Sequence, residues 1–119
     1  MYSDLFDLHD WISAGGKLSK NDVESLESQI LSEEGNIEKR VKLIAYYYGK
    51  RLYDKSTLPS LAKHVIWFVE HKPEHAVLDS PETSGDAYYD DRSIYASVKQ
   101  VWERQIAANA ENAVLLANA

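Results

Sequence analysis

The 119-residue chain has the length of one domain with a sizeable core, and 45% hydrophobic against 27% charged residues is a globular rather than a disordered balance. Its formal net charge of −6 argues against nucleic acid and anionic membranes as partners, because neutralising phosphates needs concentrated Lys and Arg. It has no cysteine, which excludes disulfides, thiolate metal sites and cysteine nucleophiles.

The start, Met1-Tyr2-Ser3-Asp4-Leu5-Phe6-Asp7, is acidic and lacks the basic-then-apolar order of a signal peptide. No apolar stretch approaches the length of a bilayer span, so a soluble cytoplasmic protein is expected. Leu5, Leu8 and Ile12 share one helical face beside Trp11, and this first helix should end at Gly15-Gly16. Ser19 is a good N-cap for the second, with Asp22 as a weaker capping-box partner. Val23, Leu26, Ile30 and Leu31 then form its apolar stripe, and Glu33-Glu34-Gly35-Asn36 breaks it.

Asn36 caps a third helix that buries Ile37, Val41, Ile44, Ala45 and Tyr48 and runs to about Tyr53, across Gly49. Ser56 or Thr57 caps the fourth, with Pro59 in its first turn. Its stripe is Leu58, Leu61, Ala62, Val65, Phe68 and Val69, and it stops near His71 because Pro73 disfavours helical geometry at Lys72. Residues 72–90 read as a long acidic loop with Pro73, Pro81 and Gly85. Asp90 or Asp91 caps the fifth helix, whose core face is Ile94, Val98, Val101, Trp102 and Ile106. Asn109 ends it, and a last helix opens near Glu111 or Asn112.

The β-branched residues follow helical spacing rather than alternation, so the expected fold is all-α. Short connections make neighbouring helices antiparallel, giving stacked helical hairpins. The whole chain, 1–119, is expected to be one domain: helix and turn over 1–16, helices two to four over 19–71, the loop over 72–90, and helix five with an incomplete last helix over 91–119. Such an unfinished hairpin predicts that Val114, Leu115 and Leu116 cannot all be covered by helix five. Part of that surface should then meet another chain or further residues.

Asn36 and Asn112 open similar helices 76 residues apart, a distance that two hairpin repeats of roughly 34 residues and an inserted loop would fill. The run Glu34-Gly35-Asn36-Ile37-Glu38-Lys39-Arg40-Val41-Lys42-Leu43-Ile44-Ala45-Tyr46-Tyr47-Tyr48 resembles the first helix of a tetratricopeptide-like repeat, and so does Asn109 to Ala119. His64-Val65-Ile66-Trp67-Phe68-Val69-Glu70-His71-Lys72-Pro73-Glu74 resembles a second helix with its proline-bearing exit. The likeness spans residues 20–119, departing at Ala110, where the family usually has proline, and at the 72–90 loop, longer than a repeat turn. It implies a short array of stacked hairpins, a solenoid-like scaffold or adaptor that binds protein segments.

His71-Lys72-Pro73-Glu74-His75 spells the H-x-x-E-H string of inverted zinc peptidases. That chemistry needs both histidines on one helical face, and Pro73 interrupts the helix. The string therefore reads as a helix end, with His71 and Lys72 at the negative pole of the dipole, leaving only adventitious metal binding to His71, Glu74 and His75. Asp79, Glu82, Asp86, Asp90 and Asp91 do not have EF-hand spacing; they read as a solvated loop or a docking surface for a basic partner. Tyr46, Tyr47 and Tyr48 point three ways around one helix, so at most two can share a core and one is a candidate to face a groove. Tyr88, Tyr89 and Tyr95 add rings near the loop, and the stronger reading is that most of these rings, with Trp67, Phe68 and Trp102, fill a helical core. Lys39, Arg40, Lys42, Lys50 and Arg51 read as a solvated, salt-bridged face. No nucleotide loop or serine elbow is present.

The expectation is a non-enzymatic protein–protein interaction module with no catalytic, cofactor or metal residues. Candidate contacts are Tyr46, Tyr47, Asp79, Glu82, Asp86, Tyr88, Tyr89, Leu115 and Leu116. The partner is another protein, not nucleic acid or membrane, with self-association through the C-terminal helix as a second mode. The alternative is a small acidic immunity- or inhibitor-type protein that blocks a basic enzyme.

Overall fold

Helix-capping chemistry punctuates the chain as the sequence leads one to expect. A computed structural model describes residues 2–84, 88 and 91–119, with side chains from residue 7 onward. Among the described residues there are six α-helices: α1 (Tyr2–Gly15), α2 (Lys20–Ile30), α3 (Ile37–Lys50), α4 (Thr57–His71), α5 (Arg92–Ala108) and α6 (Ala113–Asn118). No strand occurs among the described residues. Ser19 and Asp22 exchange both bonds of a capping box, at 3.0 and 3.1 Å. Asn36, Asp91 and Asn112 each accept the backbone N–H three residues on, at 3.0 Å. Leu5 and Asp90, read above as a core and a capping residue, lie outside the described side chains.

Three expectations about helix ends change. α3 stops at Lys50, and residues 51–53 form a turn. Ser56 takes the N-cap position of α4 but its side chain makes no capping bond; Asp54 instead accepts the Ser56 backbone N–H at 3.0 Å and its hydroxyl at 2.6 Å. The 72–84 stretch is not a solvated loop. Two short 3₁₀ turns, Ala76–Asp79 and Pro81–Thr83, drive Val77 and Leu78 into the core. The buried Thr83 hydroxyl donates to the Val77 carbonyl at 2.9 Å, locking one turn onto the other.

α3 is the axis of the fold: α1, α2 and α4 all pack on it, and α4 packs in turn on α5. Helical periodicity alone assigns α3 one apolar face, through Val41, Ile44 and Ala45. The structure also buries the opposite face, through Arg40, Leu43 and Tyr47, while Ile37 and Tyr48 remain half-buried. A helix covered on two sides cannot show a single stripe. α1 reaches α3 through Gly15, where a Cβ would stand 2.3 Å from the Lys42 carbonyl oxygen. Glycine is therefore needed there for close backbone approach, beyond its role as a helix stop.

The C-terminal helix also docks differently from a simple hairpin on α5. α6 packs on the first 3₁₀ turn, and Asn118 Nδ2 donates to the Pro73 and His75 carbonyls at 3.1 and 3.3 Å. Leu115 is fully buried, whereas Val114 and Leu116 are 53% and 42% exposed.

Candidate functional site

The local sequence sets three polar side chains facing one another between α2, α3 and α4. The capping box fixes the start of α2 and so the direction of Glu27. Asn36 fixes the start of α3 and so the position of Arg40. His64 follows Leu61 by three residues and precedes Phe68 by four, which puts it on the buried stripe of α4.

His64 is completely buried, with Nε2 3.1 and 3.2 Å from the two Glu27 carboxylate oxygens and Nδ1 3.1 Å from Arg40 Nη1. A guanidinium can only donate, so Nδ1 accepts and the proton resides on Nε2, pointed at Glu27. That is the neutral imidazole. Burial depresses the His64 pKa and outweighs the bond and charge of Glu27, which raise it; Lys63 and Arg40 add smaller effects in the same direction as burial. Tyr47 donates its hydroxyl to Glu27 Oε2 at 2.5 Å, and Lys63 Nζ lies 3.2 Å from Oε1. Burial alone would raise the Glu27 carboxyl, but the bonds from His64 and Tyr47 prevail and hold it at about 2. Burial, helped by the Glu27 bond, raises the Tyr47 phenol well above its usual range.

Arg40 contradicts the expectation of a solvated basic face: it is 4% exposed. Its Nε donates to the Glu34 carbonyl at 2.8 Å, Nη1 donates to His64, and its Cζ sits 4.2 Å from the centre of the Trp67 ring. None of the ion pairs among the described residues includes Arg40. By contrast, Lys39 and Lys42 pair with Glu33 and Glu38 at 2.5 and 2.7 Å, as a salt-bridged face should.

Arg40 lies in the floor of a groove of about 600 Å³. Ile30, Leu31 and Glu34 form one wall, at the end of α2; Lys63, Ile66, Trp67, Glu70 and His71 form the other, along α4. Leu31 is 87% exposed at the rim, and Trp67 is held by a face-on stack with His71 at 4.9 Å. A second cleft, of about 510 Å³, lies between the 3₁₀ turns, α5 and the end of α6. Its lining includes the buried Tyr88, whose hydroxyl has no hydrogen-bond partner among the described residues. The α2–α4 groove is the stronger candidate site, because of these two clefts it is the one with a buried formal charge among its described lining residues.

The residues proposed from sequence scatter. Tyr47, Tyr88 and Leu115 are buried and do not present themselves as surface contacts; the core between α2, α3 and α4 absorbs the first, and the 3₁₀ segment covers the last. Tyr46 is half-buried, edge-on to Tyr47 at 5.5 Å. Asp79 is exposed and shares the second cleft with Tyr88; Glu82 is half-buried, and Leu116 is partly exposed. Asp86 and Tyr89 lie outside the described residues. His71, Glu74 and His75 serve chain geometry: His71 Nδ1 is 3.0 Å from the Trp67 carbonyl, His75 Nδ1 accepts the Val77 N–H at 3.1 Å, and Glu74 accepts from Asn112. Sequence reasoning missed Glu27, His64 and Trp67 as site residues. The one signal for them was His64 standing on an otherwise apolar stripe. No family model, curated protein or solved structure matches the chain, so the site is read from its own chemistry.

Proposed function

We propose that the chain is a non-enzymatic protein–protein interaction module, a degenerate tetratricopeptide-like stack whose α2–α4 groove receives a segment of a partner protein. The carrying observation is the groove itself: Leu31 at 87% exposure and the half-buried Ile66 and Trp67 line an indentation with a buried guanidinium in its floor. Apolar walls around one oriented polar group make a recognition surface. The stacking of α3 on α4 and of α4 on α5 supports the hairpin-array part of the reading.

The carboxylate, imidazole and phenol beneath the groove are a tempting catalytic set, but the geometry argues otherwise. Glu27 accepts from His64, Tyr47 and Lys63, and both His64 nitrogens already have protein partners. An imidazole with both nitrogens occupied and no exposed surface cannot take a proton from a substrate. The cluster is a satisfied polar core that orients Arg40.

Parallel affinity purification with the wild-type chain and Leu31→Glu tests the proposal. A specific protein retained by the wild type and lost from the variant supports it. Identical retention by both refutes the groove as the binding surface, and a basic enzyme so retained favours the acidic inhibitor reading.

A further inference from the structure

We infer that the α2–α4 groove recognises a single glutamate side chain, flanked by an apolar residue, on the partner segment; this rests on the interaction-module reading above. Arg40 carries five N–H donors, of which the protein uses one on Nε and one on Nη1. Its side chain is nine-tenths or more buried, and no described carboxylate lies within ion-pair distance of it; Glu34 and Glu27 act on its charge only from farther away, and burial still outweighs them. Burying a cation is costly unless it is paired, and the planar fork of arginine is suited to a carboxylate. His64 and the Glu34 carbonyl hold one edge of the guanidinium, and Trp67 covers a face of it at 4.2 Å. The remaining donors are thereby pre-oriented, which lowers the entropy cost of binding.

Three further features narrow the ligand. Arg40 lies below a rim that includes the exposed Leu31, so a side chain with methylenes can reach it while the partner backbone stays in water. A terminal backbone carboxylate would have to carry its amide groups into the groove, where desolvation penalises them. Leu31 and Ile66 offer apolar contact to a neighbouring residue of the segment. Glu34 and Glu70 also line the groove, and the ammonium of Lys63 on the same lining is paired with Glu27, so runs of acidic residues or a doubly charged phosphate meet two carboxylates there. The fitting motif is thus one glutamate beside a leucine-like residue.

The test uses the full, isotope-labelled chain and two capped tripeptides, acetyl-Leu-Glu-Leu-amide and acetyl-Leu-Gln-Leu-amide. NMR would follow the Arg40 side-chain N–H and the Trp67 indole N–H. Saturable shifts of both signals by the glutamate peptide, with the glutamine peptide weaker by about tenfold or more, are expected for a charge-assisted bond. Arg40→Lys, checked for folding by its melt, should abolish the preference because a point charge replaces the fork. Equal binding of the two peptides overturns the carboxylate assignment but leaves groove binding standing. Absence of an Arg40 response to the glutamate peptide overturns it too. A stronger response to inorganic phosphate than to the peptide overturns the peptide as the source. Failure of the groove as the docking surface would show separately, as a partner retained equally by Leu31→Glu, and failure of the interaction-module reading as no specific protein retained by the wild type.

Discussion

Replacing Glu27 with glutamine should flatten the acid side of the stability profile. In the fold the Glu27 carboxyl lies at about 2 against a usual 4.5, so its ionised form is favoured by about 3 kcal/mol over the unfolded chain. The side chain is 23% exposed, and solvent screening brings the expectation to about 2–3 kcal/mol. The sign follows from proton uptake. Below 4.5 the unfolded chain takes up a proton that the folded chain refuses, so stability is fully present above 4.5 and falls progressively as pH drops toward about 2. His64 acts in the same direction and earlier: its lowered pKa means that the unfolded chain binds a proton first as pH falls below 6.5. Urea titrations at a series of pH values would measure both effects from the unfolding midpoint and slope. Wild type should lose about 2–3 kcal/mol more than Glu27→Gln across the carboxylate window, in addition to other acid effects common to both. Parallel profiles for the two proteins would refute the claim that Glu27 is the charged centre of the cluster.

Other substitutions probe packing. Gly15→Ala should destabilise the fold by about 2 kcal/mol or more despite alanine's better helix propensity, because the new Cβ meets backbone at 2.3 Å; a thermal melt at or above the wild-type midpoint would contradict the close approach of α1 to α3. Gly49→Ala, with nothing within 4 Å of the added carbon, should instead gain about 0.5–1 kcal/mol, and a loss in urea titration would count against the helix extending through that residue. Tyr88→Phe removes a buried hydroxyl without a partner among the described residues, so stability should hold or rise by up to about 1 kcal/mol; a fall of about that size would reveal a hydrogen bond. Leu31→Glu should leave the melt within about 0.5 kcal/mol of wild type, since the side chain is 87% exposed, and a larger drop would mean that Leu31 packs in the fold.

Local chemistry was legible from sequence. Ser19, Asn36, Asp91 and Asn112 needed only the next few residues to act as caps, and all four do so. The all-α class followed from apolar periodicity for the same reason. What escaped was non-local. Tyr47 and Arg40 belong to a second buried face that exists only because α2 and α4 approach α3 together. Glu27 and His64 are separated by 37 residues, and no spacing rule links them. Arg40 looked like one of several solvated cations because its neighbours Lys39 and Lys42 are paired with carboxylates at the surface. The 72–84 stretch looked like a loop because its prolines and acidic residues hide Val77 and Leu78, the apolar pair that anchors it.

The most direct test of the groove as the binding surface is site-specific photo-crosslinking. One photoreactive residue would replace Leu31 at the groove rim, and another would replace Tyr53, which is 88% exposed in the turn after α3. The account predicts a partner protein crosslinked from position 31 and not from position 53. Crosslinks arising from position 53 alone would contradict it.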